Sequence, residues 1–265
     1  MSDLRPPIVD SHCHLNDERL FGEVGDVIQR AQDAGVTVLQ TICTRRSDFP
    51  VIHKLTQSYP NLYCSFGIHP HHVDEDVVDE AEIIAHGQLD KVIGIGETGL
   101  DYYYDNAPRA QQQESFRRHI RAARALDLPV IIHTRDAEED TMAILNELRE
   151  EGPFRTLFHC FSSSPKLAEY ATEQGIYVSA SGILTFKKSD ELRAAFARIP
   201  TERLLVETDA PYLAPVPQRG KVCEPAYTVH TAACLAELKG LSYAELATAT
   251  TANFFRLFSK AQPPA

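Results

Sequence analysis

Short runs of Val, Ile and Leu recur along this chain, and after each one apolar residues return every three or four positions among polar ones. A short apolar run fits a strand buried on both faces of a parallel sheet, and the periodic stretch fits a helix laid against it. The runs are Ile8-Val9, Val36 to Ile42, Leu62 to Phe66, Val92 to Ile95, Val130 to Ile132, Thr156 to Phe158, Ile176 to Val178 and Leu204 to Val206. The spacing predicts helices over Glu23 to Ala34, Asp48 to Ser58, Glu80 to His86, Gln111 to Ala125, Glu138 to Glu150, Lys166 to Glu173 and Asp190 to Arg198. Gly35, Pro60, Pro129, Pro153, Gly175 and Pro200 stand just ahead of strands, where a helix has to stop and the chain turn back.

Eight such units in 265 residues predict an α/β fold, a single (β/α)8 TIM barrel with its site at the C-terminal ends of the strands. A doubly wound open sheet would instead hold its site at one switch point. Ligand-type residues follow the first, fourth, fifth, sixth and eighth runs, a spread that favours the barrel. Residues 1–265 are expected to form one domain, with no internal repeat or linker, and the polar, Pro-containing tail 259–265 is expected to fray.

Composition adds three constraints. The segment from Met1 to Pro7 lacks the apolar core of a signal peptide, and no apolar run approaches the roughly 18 residues of a membrane span. Six cysteines with no C-x-x-C pair, several inside predicted strands, fit buried thiols in a reducing compartment, so a soluble cytoplasmic protein is expected. The net charge of −11 argues against a broad basic nucleic-acid face but not against a phosphate substrate. Carboxylates of Asp10, Glu97, Glu207 and Asp209 gathered at one site would be offset by two divalent ions.

Residues two apart in a strand share a face, so Asp10, His12 and His14 of Asp10-Ser-His-Cys-His14 point the same way. Glu97 closes the fourth run, His133 the fifth and His159 the sixth, while Asp209 follows the eighth. One polar group at a strand end is ordinary capping. His12, His14, Glu97, His133, His159 and Asp209 around one expected rim point instead to two divalent ions. Glu97 is the candidate bridge, because a carboxylate has two oxygens to share and an imidazole one free lone pair. His12, His14 and Asp209 would complete one ion, and His133 with His159 the other. Ions about 3.5 to 4 Å apart can share a water, lower its pKa toward about 7 and clamp the leaving oxygen. Asp209 is the candidate general base, with Glu207, two residues earlier on the same strand face, in reserve. Four imidazoles suit Zn, Mn, Fe or Co better than Mg, and Mg, Mn and Zn all stay open.

His69 is read as ending the third strand and contacting a substrate phosphate or oxyanion, with capping or packing as the alternative. Arg135, Arg219 and Lys221 are candidate substrate-binding cations that offset phosphate charge, against plain solvation; Lys187 and Lys188 carry less weight. Tyr102, Tyr103 and Tyr104 either stack on a base or pack under their loop. Gly94-Ile-Gly-Glu-Thr-Gly99 matches the dinucleotide fingerprint, but no helix is predicted to begin at once after it, so its glycines are read as turning the backbone around Glu97.

Taken together, Asp10-Ser-His-Cys-His14, Gly67-Ile-His-Pro-His71, Gly96-Glu-Thr-Gly-Leu-Asp-Tyr-Tyr103, His133-Thr-Arg-Asp136, His159-Cys-Phe161, Ser181-Gly-Ile-Leu-Thr-Phe-Lys187, Glu207-Thr-Asp-Ala-Pro-Tyr-Leu213 and Asn253-Phe-Phe-Arg-Leu-Phe258 resemble the TatD family of metal-dependent deoxyribonucleases from end to end. The resemblance implies an amidohydrolase-type TIM barrel, a two-ion site and hydrolysis of phosphodiesters, often as a 3′ to 5′ exonuclease on single-stranded DNA. The family's ligand positions carry over onto the same six residues. Two positions depart from its pattern: Val222-Cys223 stand where the family usually has Arg-Asn, and Ser163 where Gly is common. The first removes a cation and an amide from a loop that could grip phosphate or sugar.

The expected function is therefore hydrolysis of phosphodiester bonds in DNA, as a 3′ to 5′ exodeoxyribonuclease on single-stranded ends. The expected protein is monomeric and has no obligate protein partner and no membrane attachment. The nearest rival keeps the site and changes the substrate: an ester or amide hydrolase such as a D-aminoacyl-tRNA deacylase or a cyclic amidase. Glu97 in place of the bridging Lys of many cyclic amidases speaks against the last. A scaffold that holds metal without turnover is disfavoured because no ligand position has been lost.

Overall fold

The computed structural model describes residues 6–264. Most of the segment read for a leader, residues 1–5, and the last residue of the expected frayed tail, 265, lie outside the described residues. In chain order the elements are β1 (Ile8–Cys13), α1 (Glu18–Phe21), α2 (Val24–Asp33), β2 (Val36–Thr41), α3 (Phe49–Gln57), β3 (Leu62–Phe66), α4 (Glu80–Gly87), β4 (Val92–Asp101) and α5 (Arg109–Leu126). They continue with β5 (Val130–Arg135), α6 (Glu138–Glu150), β6 (Thr156–Phe158), α7 (Pro165–Glu173), β7 (Tyr177–Ala180), α8 (Asp190–Arg198), β8 (Leu204–Val206), α9 (Thr228–Lys239) and α10 (Tyr243–Leu257). The order in the sheet is β1-β2-β3-β4-β5-β6-β7-β8, and the pairs β1–β2, β3–β4, β4–β5, β5–β6 and β7–β8 run parallel.

Helix ends follow local chemistry. The Asp79 side chain accepts the Glu82 N–H and starts α4, and Ser164 does the same for Leu167 ahead of Pro165 in α7. Helix α5 stops at Asp127 in the left-handed conformation, two residues before Pro129.

Among the described residues, one compact unit comprises 6–41 and 160–256 with 263–264, and holds β1, β2, β7 and β8. Strand β1 is buried at every position. It also meets the chain beyond β8: the Asp209 N–H donates to the His12 carbonyl at 2.9 Å and the His14 N–H to the Ala210 carbonyl at 2.7 Å. Helix α9 buries Thr228, Val229, Thr231, Ala232, Leu235 and Ala236. Such small, mixed residues give no apolar stripe, so the hydrophobic pattern does not predict α9; α10, also beyond the predicted elements, does bury Leu246, Ala247, Phe254 and Leu257 at helical spacing.

The other unit comprises residues 42–159 and 257–262, and holds β3 to β6. Val130, Ile131 and Ile132 of β5 are all fully buried, as expected of a parallel strand covered on both faces. Contrary to expectation, residues 259–262 are not frayed. The Lys260 ammonium donates to the Gly87 and Leu89 carbonyls at 3.1 and 2.7 Å, Ala261 is buried, and the Gln262 N–H reaches the Tyr63 hydroxyl at 3.0 Å. A polar tail reads as loose in sequence, yet here its polar atoms find fixed carbonyl and hydroxyl partners.

Strand β4 does not end or turn at Glu97 but runs on to Asp101. Gly96 and Gly99 have φ of +147° and +134°, and a Cβ there would lie 2.6 Å from the Ile131 carbonyl oxygen and 2.0 Å from that of His133. The glycines thus allow β4 to press against the backbone of β5. Among the described residues, no helix is long and apolar enough to cross a membrane, and all six cysteines are free thiols.

Candidate metal centre

In the first unit, Asp10 ties β1 to the end of β8. Its carboxylate accepts the His12 N–H at 3.2 Å, the Thr208 N–H at 3.0 Å and the Thr208 hydroxyl at 2.6 Å. Burial raises the Asp10 carboxyl to about 7, against the hydrogen bonds from Thr208 and His12. Through these bonds it positions the backbone at His12 and Thr208. Asp209 Oδ1 lies 3.3 Å from His14 Nε2 and 3.8 Å from His12 Nε2, so the structure brings together His12, His14 and Asp209.

The expectation that Glu207 shares a strand face with Asp209 is corrected. Strand β8 ends at Val206, and Asp209 has a φ of +58°, which takes the chain out of the strand alternation. Glu207 is fully buried and accepts the Ser179 hydroxyl, whereas the Asp209 side chain keeps some exposure.

In the second unit, Glu97 is the centre of an imidazole cluster. Its Oε1 lies 2.8 Å from His159 Nε2, 3.1 Å from His133 Nδ1 and 3.4 Å from His69 Nε2. His69 follows β3 rather than ending it, and caps a 3-10 turn over Pro70–His72. Its Nδ1 accepts the His71 N–H, which leaves Nε2 as the edge toward Glu97. Burial pushes His69 down to about 3 although Glu97 pulls the other way. His69, Glu97 and His133 each offer one ligand atom, and these lie within 4.8 Å of one another.

Behind this cluster stands a carboxylate that strand-end reasoning misses. Asp101 Oδ2 meets His133 Nε2 at 3.0 Å and His71 Nε2 at 2.9 Å, while Oδ1 accepts the N–H groups of Tyr103 and Tyr104 at 3.0 and 2.9 Å. Burial would raise the Asp101 carboxyl, but the hydrogen bonds with His133 and His71 outweigh it and hold the group below the usual carboxylate range. Burial likewise disfavours charge on His133, and its hydrogen bonds with Asp101 and Glu97 more than offset this. The sequence does carry a signal for Asp101: it is four residues beyond Glu97, on the same face of an extended strand, with Gly99 between them masking the strand.

The cation candidates are differently placed. The Arg219 guanidinium lies 3.8 Å over the Phe186 ring and donates to the Ala214 carbonyl, and the Lys221 ammonium donates to Gln218 Oε1. Val222 is exposed and Cys223 buried, while Lys187 and Lys188 are exposed. Arg135 ends β5 two residues past His133. Of the three tyrosines, Tyr102 donates to Asp140 at 2.7 Å under the Arg109 guanidinium, whereas Tyr103 and Tyr104 are exposed.

The donor chemistry fits divalent cations: imidazole nitrogens converge on carboxylate oxygens, and His133 is oriented from behind by a carboxylate, as ligating histidines commonly are. A parallel α/β sheet bearing such clusters on and just beyond the C-terminal parts of its strands is the architecture of a metal-dependent hydrolase. The sequence model of the TatD-related DNases matches residues 9–259, and the chain belongs to that family. Among its relatives is the uncharacterized metal-dependent hydrolase YcfH of Escherichia coli K12, 43% identical over 256 residues and 95% of each chain. The 3′-5′ ssDNA/RNA exonuclease TatD of Citrobacter rodentium is 33% identical over 255 residues, 94% of this chain and 97% of that one. The crystal structure of YJJV, a TatD homolog from Escherichia coli K12, superposes with a TM-score of 0.87 at 28% identity, covering 95% and 98% of the two chains. The fold is accordingly the (β/α)8 barrel of this family, as the strand–helix pattern predicts.

Proposed function

We propose that the protein is a two-metal phosphodiesterase that removes nucleotides from single-stranded DNA ends in the 3′ to 5′ direction, as a monomer. The observation that carries this reading is the convergence of His69, His133 and His159 on one oxygen of the buried Glu97. Packing alone gives no reason to gather three imidazoles around one carboxylate oxygen, and a cation does.

The strand ends of a (β/α)8 barrel share one rim, which is the ground for assigning both clusters to one centre. In this assignment His12, His14 and Asp209 would hold one ion and His133 with His159 the other, and Glu97 would serve both. Mg, Mn and Zn are the candidate ions, and when bound they supply Lewis acidity toward phosphate oxygens and activation of a water. Asp209 takes the proton from the attacking water, Asp101 fixes the ring of His133, and His69 orients Glu97 from its Nε2 edge. Arg135, Arg219 and Lys221 face the anionic substrate. The activity in the name of the Citrobacter relative supports the choice of nucleic acid.

The test is a side-by-side assay, with Mg, Mn or Zn supplied, of a labelled single-stranded oligonucleotide, a D-aminoacyl-tRNA and a cyclic amide. The expected result is stepwise shortening of the oligonucleotide from its 3′ end. An intact oligonucleotide beside consumed aminoacyl ester or amide would overturn the reading.

A further inference from the structure

We propose that Tyr103, Tyr104 and Arg135 form a seat for an unpaired nucleobase and its phosphate, next to the histidines that Asp101 organises. The inference rests on the nucleic-acid reading above and deepens it, because it names what selects an unpaired end.

Arg135 lies on the same face of β5 as His133, and its guanidinium carbon sits 4.0 Å over the Tyr103 ring and 4.8 Å from that of Tyr104. The two rings meet at 90° with centroids 4.9 Å apart, and the residues are 56% and 54% exposed. They are nevertheless fixed, since both backbone N–H groups donate to Asp101, and the Tyr104 ring stands 5.4 Å from that of His71. Among the described residues, Arg135 forms no ion pair with a carboxylate.

A guanidinium lying over a ring keeps its edge N–H groups available for a phosphate. Two half-exposed rings on an anchored backbone supply a stacking face that tolerates any base. A base inside a duplex is already paired and stacked, so an unpaired nucleotide takes this seat at lower cost. The seat thus combines a π-face and a free cation on a loop anchored to the carboxylate that orients His133.

The test compares kcat/KM for two short single-stranded oligonucleotides with Mn²⁺, one ending in two adenines at each end and one with abasic sites in those positions. Stacking of the size found on aromatic platforms corresponds to a preference of about 5- to 150-fold for the adenine ends in the unaltered protein. The double substitution Tyr103→Ala and Tyr104→Ala is expected to bring that ratio close to one, and Tyr103→Phe with Tyr104→Phe to keep it. Arg135→Ala is expected to weaken cleavage of both probes by a similar factor. A ratio near one in the unaltered protein, or a double alanine variant that keeps the ratio, overturns the seat. If the unaltered protein cleaves neither probe, the phosphodiesterase reading itself falls and takes the seat with it. Because both rings are half-exposed, the alanine variant should stay folded, and the phenylalanine variant separates loss of stacking from loss of the hydroxyls.

Discussion

Replacing Asp101 by Asn removes one acceptor from a side chain that serves four donors. In the structure Oδ2 receives His71 and His133 and Oδ1 receives the Tyr103 and Tyr104 N–H groups. An asparagine must turn its NH2 toward one of these pairs. If it faces the histidines, two imidazole donors lose their acceptor; if it faces the loop, two backbone donors do. Hydrogen bonds to a charged group contribute about 1.5 to 3 kcal/mol each, so two lost in a buried site cost about 3 to 6 kcal/mol, less where water can reach the loop. The effect on metal should be separable. Without an acceptor at Nε2, His133 is no longer held with its Nδ1 toward Glu97, and outer partners of this kind are typically worth about 10- to 100-fold in metal affinity. Calorimetric titration of Mn²⁺ or Zn²⁺ into the metal-free variant, beside urea unfolding of the same sample, measures both quantities. A folded Asp101→Asn protein whose metal affinity lies within twofold of the original would refute the reasoning.

Other outcomes follow from the same geometry. His119 is buried, donates from Nδ1 to the Ser115 carbonyl at 2.7 Å and accepts the Ile68 N–H on Nε2 at 3.1 Å, and burial lowers it from 6.5 to about 4. Its contribution to stability is therefore fully present above pH 6.5 and lost as pH falls toward 4, amounting to about 2 kcal/mol between pH 7.5 and pH 5; parallel pH–stability curves for the original protein and His119→Gln would contradict this. Asp209→Asn should cost orders of magnitude in hydrolysis rate with the fold intact, and a nearly unchanged rate would move proton transfer to the buried Glu207. Removal of metal by chelator should abolish tight polynucleotide binding, since bare carboxylates repel phosphate, and retained affinity in a filter-binding assay would argue against the centre.

The sequence carries the strand–helix alternation well because apolar runs buried on both faces have no other use in a chain of this size. Five of the six expected ligands fall within or just beyond strand ends for the same reason, since a polar side chain there must face a mouth rather than the core. Asp209 is different: it lies three residues past β8, in a left-handed conformation that periodicity does not register. Strand β4 was under-read because glycines, which lower strand propensity, sit where β4 and β5 approach most closely. Asp101 is harder to read: it shares a face with Glu97, but its partners His71 and His133 come from other elements, which spacing within β4 does not register. Helix α9 lacks an apolar stripe, and the pinned tail depends on acceptors far away in sequence.

Electron paramagnetic resonance of the Mn²⁺-loaded protein asks whether Glu97 joins two ions into one centre. The expected outcome is two Mn²⁺ per chain with the exchange-coupled spectrum of a bridged pair, lost in Glu97→Gln. One ion per chain, or two that behave as isolated Mn²⁺, would contradict it.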